Sequence, residues 1–452
     1  MSEAAARPGD AAGAAGAERY PPAAYAWYVC AVLLLAYIFS FLDRTVISLL
    51  VIPIEHDLAI NDTGMSLLQG FSFALFYALL GLPIARLVDA SDRRAIVGAG
   101  IALWSVMTAA CGLTQQFWQL FAARVGVGAG EATLLPGATS LLADYFPPRR
   151  RGVALGVFAA GIYLGAGLAL IVGGLLLRLL GTEAIALPLL GPLHPWQAVF
   201  VAVGLPGLAV ALLLFTVREP PRLGRTAAKS GIPLGAVLRY LERNAATVTC
   251  HNLGFTMLAF ASYAATAWIP TIFVRDHGWS AATVGVRLGL IALLVGPLGT
   301  VVGGWLADRL EARGRRGGKL IVGLVAALGL IGPAIAFPLA ANPMVSLALL
   351  VPFMFFVSFV WGLAPAALQE IMPNQMRGQA TALYTGVLNL VGLGLGPASV
   401  AVLADYVFRD PLSLNLACAI VVPLAGLVAA LLFALGLGPY RRTLERLAAG
   451  DW

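Results

Sequence analysis

Twelve apolar runs, each long enough to cross a bilayer, fill this 452-residue chain and leave few alternatives for its fold. A membrane helix needs about 20 predominantly apolar residues. Runs of that kind fall at 25–51, 64–88, 95–113, 116–146, 152–180, 196–217, 244–272, 281–307, 319–340, 343–372, 378–405 and 412–438. Inside hydrocarbon each backbone N–H and C=O must be paired within its own segment or in a closed barrel, so runs of this length read as helices. Only 11% of the residues are charged, against about 25% in a typical soluble domain. Mean hydropathy is +0.87. The expected fold class is an all-α membrane protein of twelve transmembrane helices, several of them tilted because their runs exceed a vertical crossing.

The net charge of +7 is carried almost wholly by arginine. Its placement speaks for topology and against a nucleic-acid partner. Arg93, Arg94, Arg149, Arg150 and Arg151 lie on the same side as the Arg/Lys residues of 218–243, Arg309–Lys319, Arg377 and Arg441–Arg446. Only Arg178, Arg275 and Arg409 fall in loops on the other side. The positive-inside rule then puts both termini in the cytoplasm and the chain in an inner or plasma membrane. The expected organisation is a disordered tail over 1–24, a six-helix bundle over 25–217, a cytoplasmic linker with an amphipathic helix over 218–243, a second bundle over 244–438 and a short tail over 439–452. Cys30, Cys111, Cys250 and Cys418 sit inside apolar runs without a CxxC pair or metal-ligand spacing. No metal, cofactor or obligate protein partner is expected, and a monomer is the default.

Four ionisable residues interrupt the apolar runs: Asp43 and Arg44 in the first, Arg124 and Glu131 in the fourth. A charge at mid-bilayer costs ~2.5–3.5 kcal/mol on insertion scales, so such groups face one another or a cavity and mark a transport route. At 1.5 Å per residue, Asp43 lies ~7 Å and Arg124 ~10 Å outward of the span centres, with Glu131 near the midplane. Arg124 and Glu131 are two helical turns apart and share a face. Asp43 and Glu131 are candidate proton carriers, because burial and a nearby guanidinium pull a carboxyl's protonation in opposite directions. Arg44 and Arg124 are candidate ligands of an anionic head group, for which the planar guanidinium fork is suited. The alternative for all four is a fixed ion-pair network. Candidate cavity residues in the second half are Asn252, Thr256, Tyr263, Trp268, Trp361, Tyr384 and Asn389; packing is the plainer reading of each. His251 is read as interfacial.

The halves resemble each other. LVDASDRR with Asp89 follows the second run, and WLADRLEARGRR with Asp308 and Arg309 follows the eighth. FPPRRRG after the fourth run matches IMPNQMRG after the tenth. Two related six-helix halves suit a transporter that rocks around a central site. GGWLADRLEARGRR, and Arg124 followed by Gly126, Gly128 and Gly130, resemble signatures of the major facilitator superfamily. FLDR (41–44), VGVGAGEA (125–132), ADYFPPRRRGVALG (143–156), GAGLALIVGG (165–174) and AWIPTIFVRDHGWS (267–280) resemble the Spinster family. The superfamily resemblance implies a pseudo-symmetric pair of bundles and a gating latch at Asp89, Arg93, Arg94, Asp308 and Arg309 that favours the outward-open state. Arg86 and Ala90 depart from the usual first-half loop pattern. The Spinster resemblance implies an amphiphilic, lysolipid or sphingoid-phosphate-like substrate.

The resulting functional expectation is a secondary active transporter, not an enzyme, moving an amphiphilic or anionic organic solute by proton-coupled alternating access. The alternative is a proton symporter for a small organic acid or sugar acid. A lipid-acting intramembrane enzyme is a distant third, since the chain has no HExxH or GxSxG motif and no Asp dyad on facing helices. The glycine-dense 152–180 run reads as a close-packing seam, since a phosphate loop needs a strand before it.

Overall fold

The computed structural model describes residues 20–187, 191–222 and 233–450, so most of the expected N-terminal tail and part of the linker lie outside the described residues. Among the described residues, eleven helical segments are long and apolar enough to cross a membrane: Ala23–Leu49, Asp62–Gly81, Arg93–Cys111, Pro148–Leu180, Pro195–Thr216, Ala245–His277, Ala281–Ala312, Gly318–Leu339, Pro343–Glu370, Arg377–Phe408 and Pro411–Ala448. A further crossing, fourth in order, is built from two helices, Phe117–Glu131 and Leu134–Tyr145. In chain order these are spans 1 to 12. The break in span 4 has two local causes, the first being Pro136, which has no N–H to bond the Ala132 carbonyl. The Gly130 carbonyl accepts both the Thr133 N–H (3.2 Å) and the Thr133 hydroxyl (2.8 Å), a side-chain bond that competes with the helical ladder immediately after Glu131.

Span ends define two faces. On one, Tyr25 at the start of span 1 bonds Thr216 and Arg218 at the end of span 6, and Asn244 at the start of span 7 accepts from Thr443 at the end of span 12. This face, carrying both described chain ends and the linker helix Leu234–Arg243, is called terminal here; the opposite face is distal. A short antiparallel hairpin, Ile185–Leu187 with Gly191–Leu193, joins spans 5 and 6 distally. Lipid-facing stripes follow helical spacing. On span 8, Leu290, Leu294, Leu298 and Val301 are all exposed, one above the other.

The two sequence halves meet along spans 5 and 8 and along spans 2 and 11. Small residues make both contacts possible. A Cβ on Gly285 would collide with the Leu170 carbonyl oxygen, and one on Gly70 would collide with the Leu393 carbonyl oxygen. Spans 2 and 11 also share a backbone irregularity. Leu67–Phe71 and Leu388–Leu395 are π-helical turns, and the two face each other across this contact. Such turns gather at functional sites because they re-aim side chains and loosen the regular ladder.

Candidate functional site

A cavity of about 180 Å³ lies between the halves and reaches into their distal portion; Phe41, Arg44, Gln69, Tyr163, Tyr263 and Trp361 are among its lining. Most of its wall is apolar. At its terminal side the Tyr163 hydroxyl of span 5 bonds the Thr300 hydroxyl of span 8 and donates to the Ser358 carbonyl of span 10 at 3.4 Å. Tyr263 and Trp361 meet edge to face, ring centroids 5.6 Å apart.

The charged cluster forms one wall. Glu131 Oε2 accepts from Arg44 Nη2 at 2.5 Å and from the Ser40 hydroxyl at 2.7 Å; its Oε1 has no partner. Ser40 and Arg44 are one helical turn apart, so span 1 presents both to span 4. The Arg44 guanidinium carbon lies 4.1 Å from the Phe73 ring centroid and 4.8 Å from that of Phe41. Its side chain keeps 14% of its surface exposed, toward the cavity. Behind this pair, Arg124 and Asp43 are each 0% exposed. Arg124 donates to two backbone carbonyls, Leu68 at 3.3 Å and Asp43 at 3.2 Å, leaving its Nη2 without a partner. Neither Asp43 carboxyl oxygen has a well-formed hydrogen bond, although the Thr108 hydroxyl lies beside it. An ionised carboxylate left this way carries a large desolvation cost, whereas a neutral acid carries much less.

A sequence profile of the Major Facilitator Superfamily matches residues 33–397, most of the chain. The chain belongs to the major facilitator superfamily. An MFS-type efflux pump of Mycolicibacterium smegmatis is 31% identical over 433 residues, covering 95% of this chain and 96% of its own length. Human protein spinster homolog 1 is 29% identical over 408 residues, covering 84% and 74% respectively. The crystal structure of a bacterial homolog of the human lysosomal transporter Spinster, in an inward-facing and unoccupied conformation, superposes with a TM-score of 0.76 at 27% identity, covering 96% of this chain and 99% of that one. The expected fold class and the Spinster-like resemblance are therefore established, as is a transporter in the membrane.

Within this major facilitator transporter the structure sorts the remaining candidates. Tyr263 and Trp361 line the cavity. Trp268 is buried and donates to the Pro397 carbonyl at 2.9 Å, fastening span 7 to span 11. Asn252 lies 2.9 Å from His251 Nδ1, and His251 Nε2 lies 3.0 Å from the Ala364 carbonyl, so His251, near the terminal end of span 7, is enclosed by protein. Tyr384 packs its ring 5.5 Å from His251, while Thr256 and Asn389 are buried. Arg93 is engaged by Asp144 (2.5 Å) and Glu219 (2.6 Å), and Arg94 by the Val217 carbonyl (3.2 Å), all within the first half and its exit. Asp308 and Arg309 are exposed, Arg309 lying 5.2 Å from the Trp305 ring centroid. The Asp89 side chain lies outside the described residues.

Sequence reasoning missed a distal clasp between the transporter's halves. Arg275, at the end of span 7, contacts Glu55 Oε2 at 2.6 Å and Asp62 Oδ1 at 2.9 Å. Asp405 on span 11 accepts the Thr63 N–H and hydroxyl, each at 2.7 Å. One signal was available: Arg275 is one of three arginines in loops on a side otherwise cleared of positive charge. Burial and the neighbouring Asp62 push the Glu55 carboxyl up from 4.5 to about 9, against the pull of Arg275. The sign follows. Closure holds a proton that a solvated Glu55 releases, so its contribution is complete below about 4.5 and fades as pH rises through about 9. Alkaline pH is expected to open the clasp. Labelling of a distal cysteine probe, divided at each pH by that of a cysteine on a solvent-exposed loop to remove the thiol's own ionisation, should increase between pH 7 and 10 in the parent protein and stay flat in Glu55→Gln; a parallel rise in both would assign the change elsewhere.

Proposed function

We propose that this transporter carries an amphiphilic organic anion, lysolipid-like or sphingoid-phosphate-like, by alternating access, with Asp43 and Glu131 coupling transport to protons. One observation carries the reading: a single cavity-facing cation, Arg44, paired with Glu131 at the edge of an otherwise apolar chamber. An anionic head group can take the place of Glu131 on the guanidinium, while the apolar wall receives a hydrocarbon tail. Arg124 is fully enclosed behind the pair and suits the role of a fixed countercharge for Asp43. In this reading the two termini face the cytoplasm, the two bundles rock as 25–217 and 244–438, and the distal clasp holds the inward-facing state. Asp308 and Arg309 would engage only after closure of the terminal face, the state in which a latch has something to hold.

The small organic acid or sugar acid reading draws support from a probable L-galactonate transporter of Escherichia coli, 26% identical over 364 residues. The lining weighs against it, since a polyol needs many hydrogen-bond partners and this wall offers few. A ligand screen on the purified protein separates the two. Lysolipids or sphingoid phosphates are expected to raise the melting temperature in the parent protein. Arg44→Gln should weaken that apparent affinity roughly tenfold or more, the scale of a lost charge-assisted contact. Stabilisation by sugar acids alone, or lysolipid stabilisation unchanged in Arg44→Gln, would overturn the proposal.

A further inference from the structure

A second pocket lies far from the transport cavity, on the terminal face between the start of span 7 and the end of span 12. It encloses about 450 Å³ and is lined by Arg243, Asn244, Thr247, Arg442, Glu445 and Arg446 among others. Its floor is rigid. The Thr247 and Thr443 hydroxyls are 2.8 Å apart, the Thr443 hydroxyl donates to Asn244 Oδ1 at 3.2 Å, and the Asn244 amide donates to the Tyr240 carbonyl at 3.0 Å. The floor groups thus satisfy one another, and what projects above them is mainly guanidinium. Glu445 is the single carboxylate in the lining, and it is drawn outward to Arg316 at 3.3 Å. Among the described residues, Arg442 and Arg446 form no ion pair. Arg442 and Arg446, beside a glutamate already engaged by Arg316, leave an excess of positive charge in a concave, polar site.

What lies beneath the pocket identifies the kind of anion. The apolar run of span 12 ends at 438, so the pocket sits where hydrocarbon gives way to the interface. Leu431 and Leu435 are exposed on span 12, and Arg442 and Arg446 continue the same helical face at spacings of seven and eleven residues from Leu435. On the span 7 side, Ala246 and Leu253 are exposed two turns apart. A lipid-facing groove therefore rises directly into the arginine pocket. We propose that this pocket binds the phosphate of an anionic phospholipid, its acyl chains lying along Leu431, Leu435 and Leu253 and its head group held by Arg442 and Arg446. Basic pockets between membrane helices at the interface have the chemistry for such head groups. Arginine's fork, more than a point charge, suits phosphate oxygens.

The test uses the full-length protein in neutral detergent–phosphatidylcholine micelles, titrated separately with phosphatidylglycerol, cardiolipin, additional phosphatidylcholine, and inorganic phosphate. The readouts are melting temperature and lipid adducts retained in native mass spectrometry. Phosphatidylglycerol or cardiolipin is expected to raise the melting temperature of the parent protein, and phosphatidylcholine is not. In Arg442→Gln/Arg446→Gln the apparent affinity should fall roughly tenfold or more, as for two basic residues at an anionic surface. The single Arg442→Gln variant should be intermediate, and Arg149→Gln/Arg150→Gln, on the same face but away from the pocket, should match the parent. Equal responses in the pocket and control variants, or no response to anionic lipid in the parent, would overturn the proposal. Inorganic phosphate reproducing the whole effect would make this a free-anion site and remove the lipid from it.

Discussion

Glu131→Gln is expected to abolish accumulation driven by a pH gradient while leaving exchange of substrate at equal pH largely intact. Glu131 holds Arg44 through an ion pair that is nearly sealed from water. Glutamine preserves the shape and accepts a hydrogen bond from Ser40, but it carries no exchangeable proton and no charge. Coupling requires the two protonation states to favour different conformations, and a tenfold bias between conformations corresponds to ~1.4 kcal/mol of differential stabilisation. If Glu131 carries the proton, as proposed, the amide removes that bias whatever its size. Gradient-driven uptake in proteoliposomes should therefore fall at least tenfold, with counterflow within a few-fold of the parent. Asp43→Asn is expected to behave similarly and to fold well, because neither carboxyl oxygen of Asp43 makes a hydrogen bond that asparagine would break. Glu131→Ala, by contrast, strands Arg44, and removing one member of a buried pair costs ~3–5 kcal/mol. A full pH-gradient response in both amide variants would place coupling outside this cluster.

Gly285→Val is expected to hold the distal face open. Gly285 lies against the Leu170 carbonyl, and a backbone oxygen cannot rotate out of the way as a side chain can. Gly289 repeats the contact one turn on, where a Cβ would sit 2.6 Å from the Gly167 carbonyl oxygen. Overpacking a close seam of this kind costs ~1–3 kcal/mol. A cost in that range shifts a two-state equilibrium by roughly five- to 150-fold. It falls only on the conformation that closes the seam. Cysteine probes near Arg275 should label at least fivefold faster in Gly285→Val, and transport should drop in proportion. Gly304→Val is the control: it sits on span 8, but nothing lies within 4 Å of the position a Cβ would take. If Gly285→Val labels and transports like Gly304→Val, the spans 5 and 8 seam is not what closes the distal face.

The chain's architecture was legible because its signals are long. Apolar runs extend over many residues, and the helical fold agrees with them. The one architectural surprise, the break in span 4, lies where Pro136 has no N–H for the Ala132 carbonyl and the Thr133 hydroxyl bonds Gly130, details a hydropathy reading passes over. The charged cluster was legible in membership but not in pairing. Helical spacing correctly puts Arg124 and Glu131 on one face of span 4. It does not say which residue of span 1 each meets, because that depends on the crossing of two helices. In the structure Glu131 takes Arg44, and Arg124 turns to the Asp43 and Leu68 carbonyls. Backbone acceptors have no signature in a sequence. The distal clasp was hidden for another reason. Glu55, Asp62 and Arg275 are ordinary loop charges until the two halves bring them together.

The aromatic clamp on Arg44 has a consequence for electroneutrality. A guanidinium held only by a carboxylate would be stranded whenever that carboxylate took up a proton. Here Phe41 and Phe73 grip the cation with their ring faces, an attraction worth ~2 kcal/mol or more when water is excluded, and neither ring titrates. The chamber thus contains one cation held in place by two rings as well as by Glu131. Under the proposed coupling, a proton on Glu131 would leave that cation in place and the cavity short of one anion.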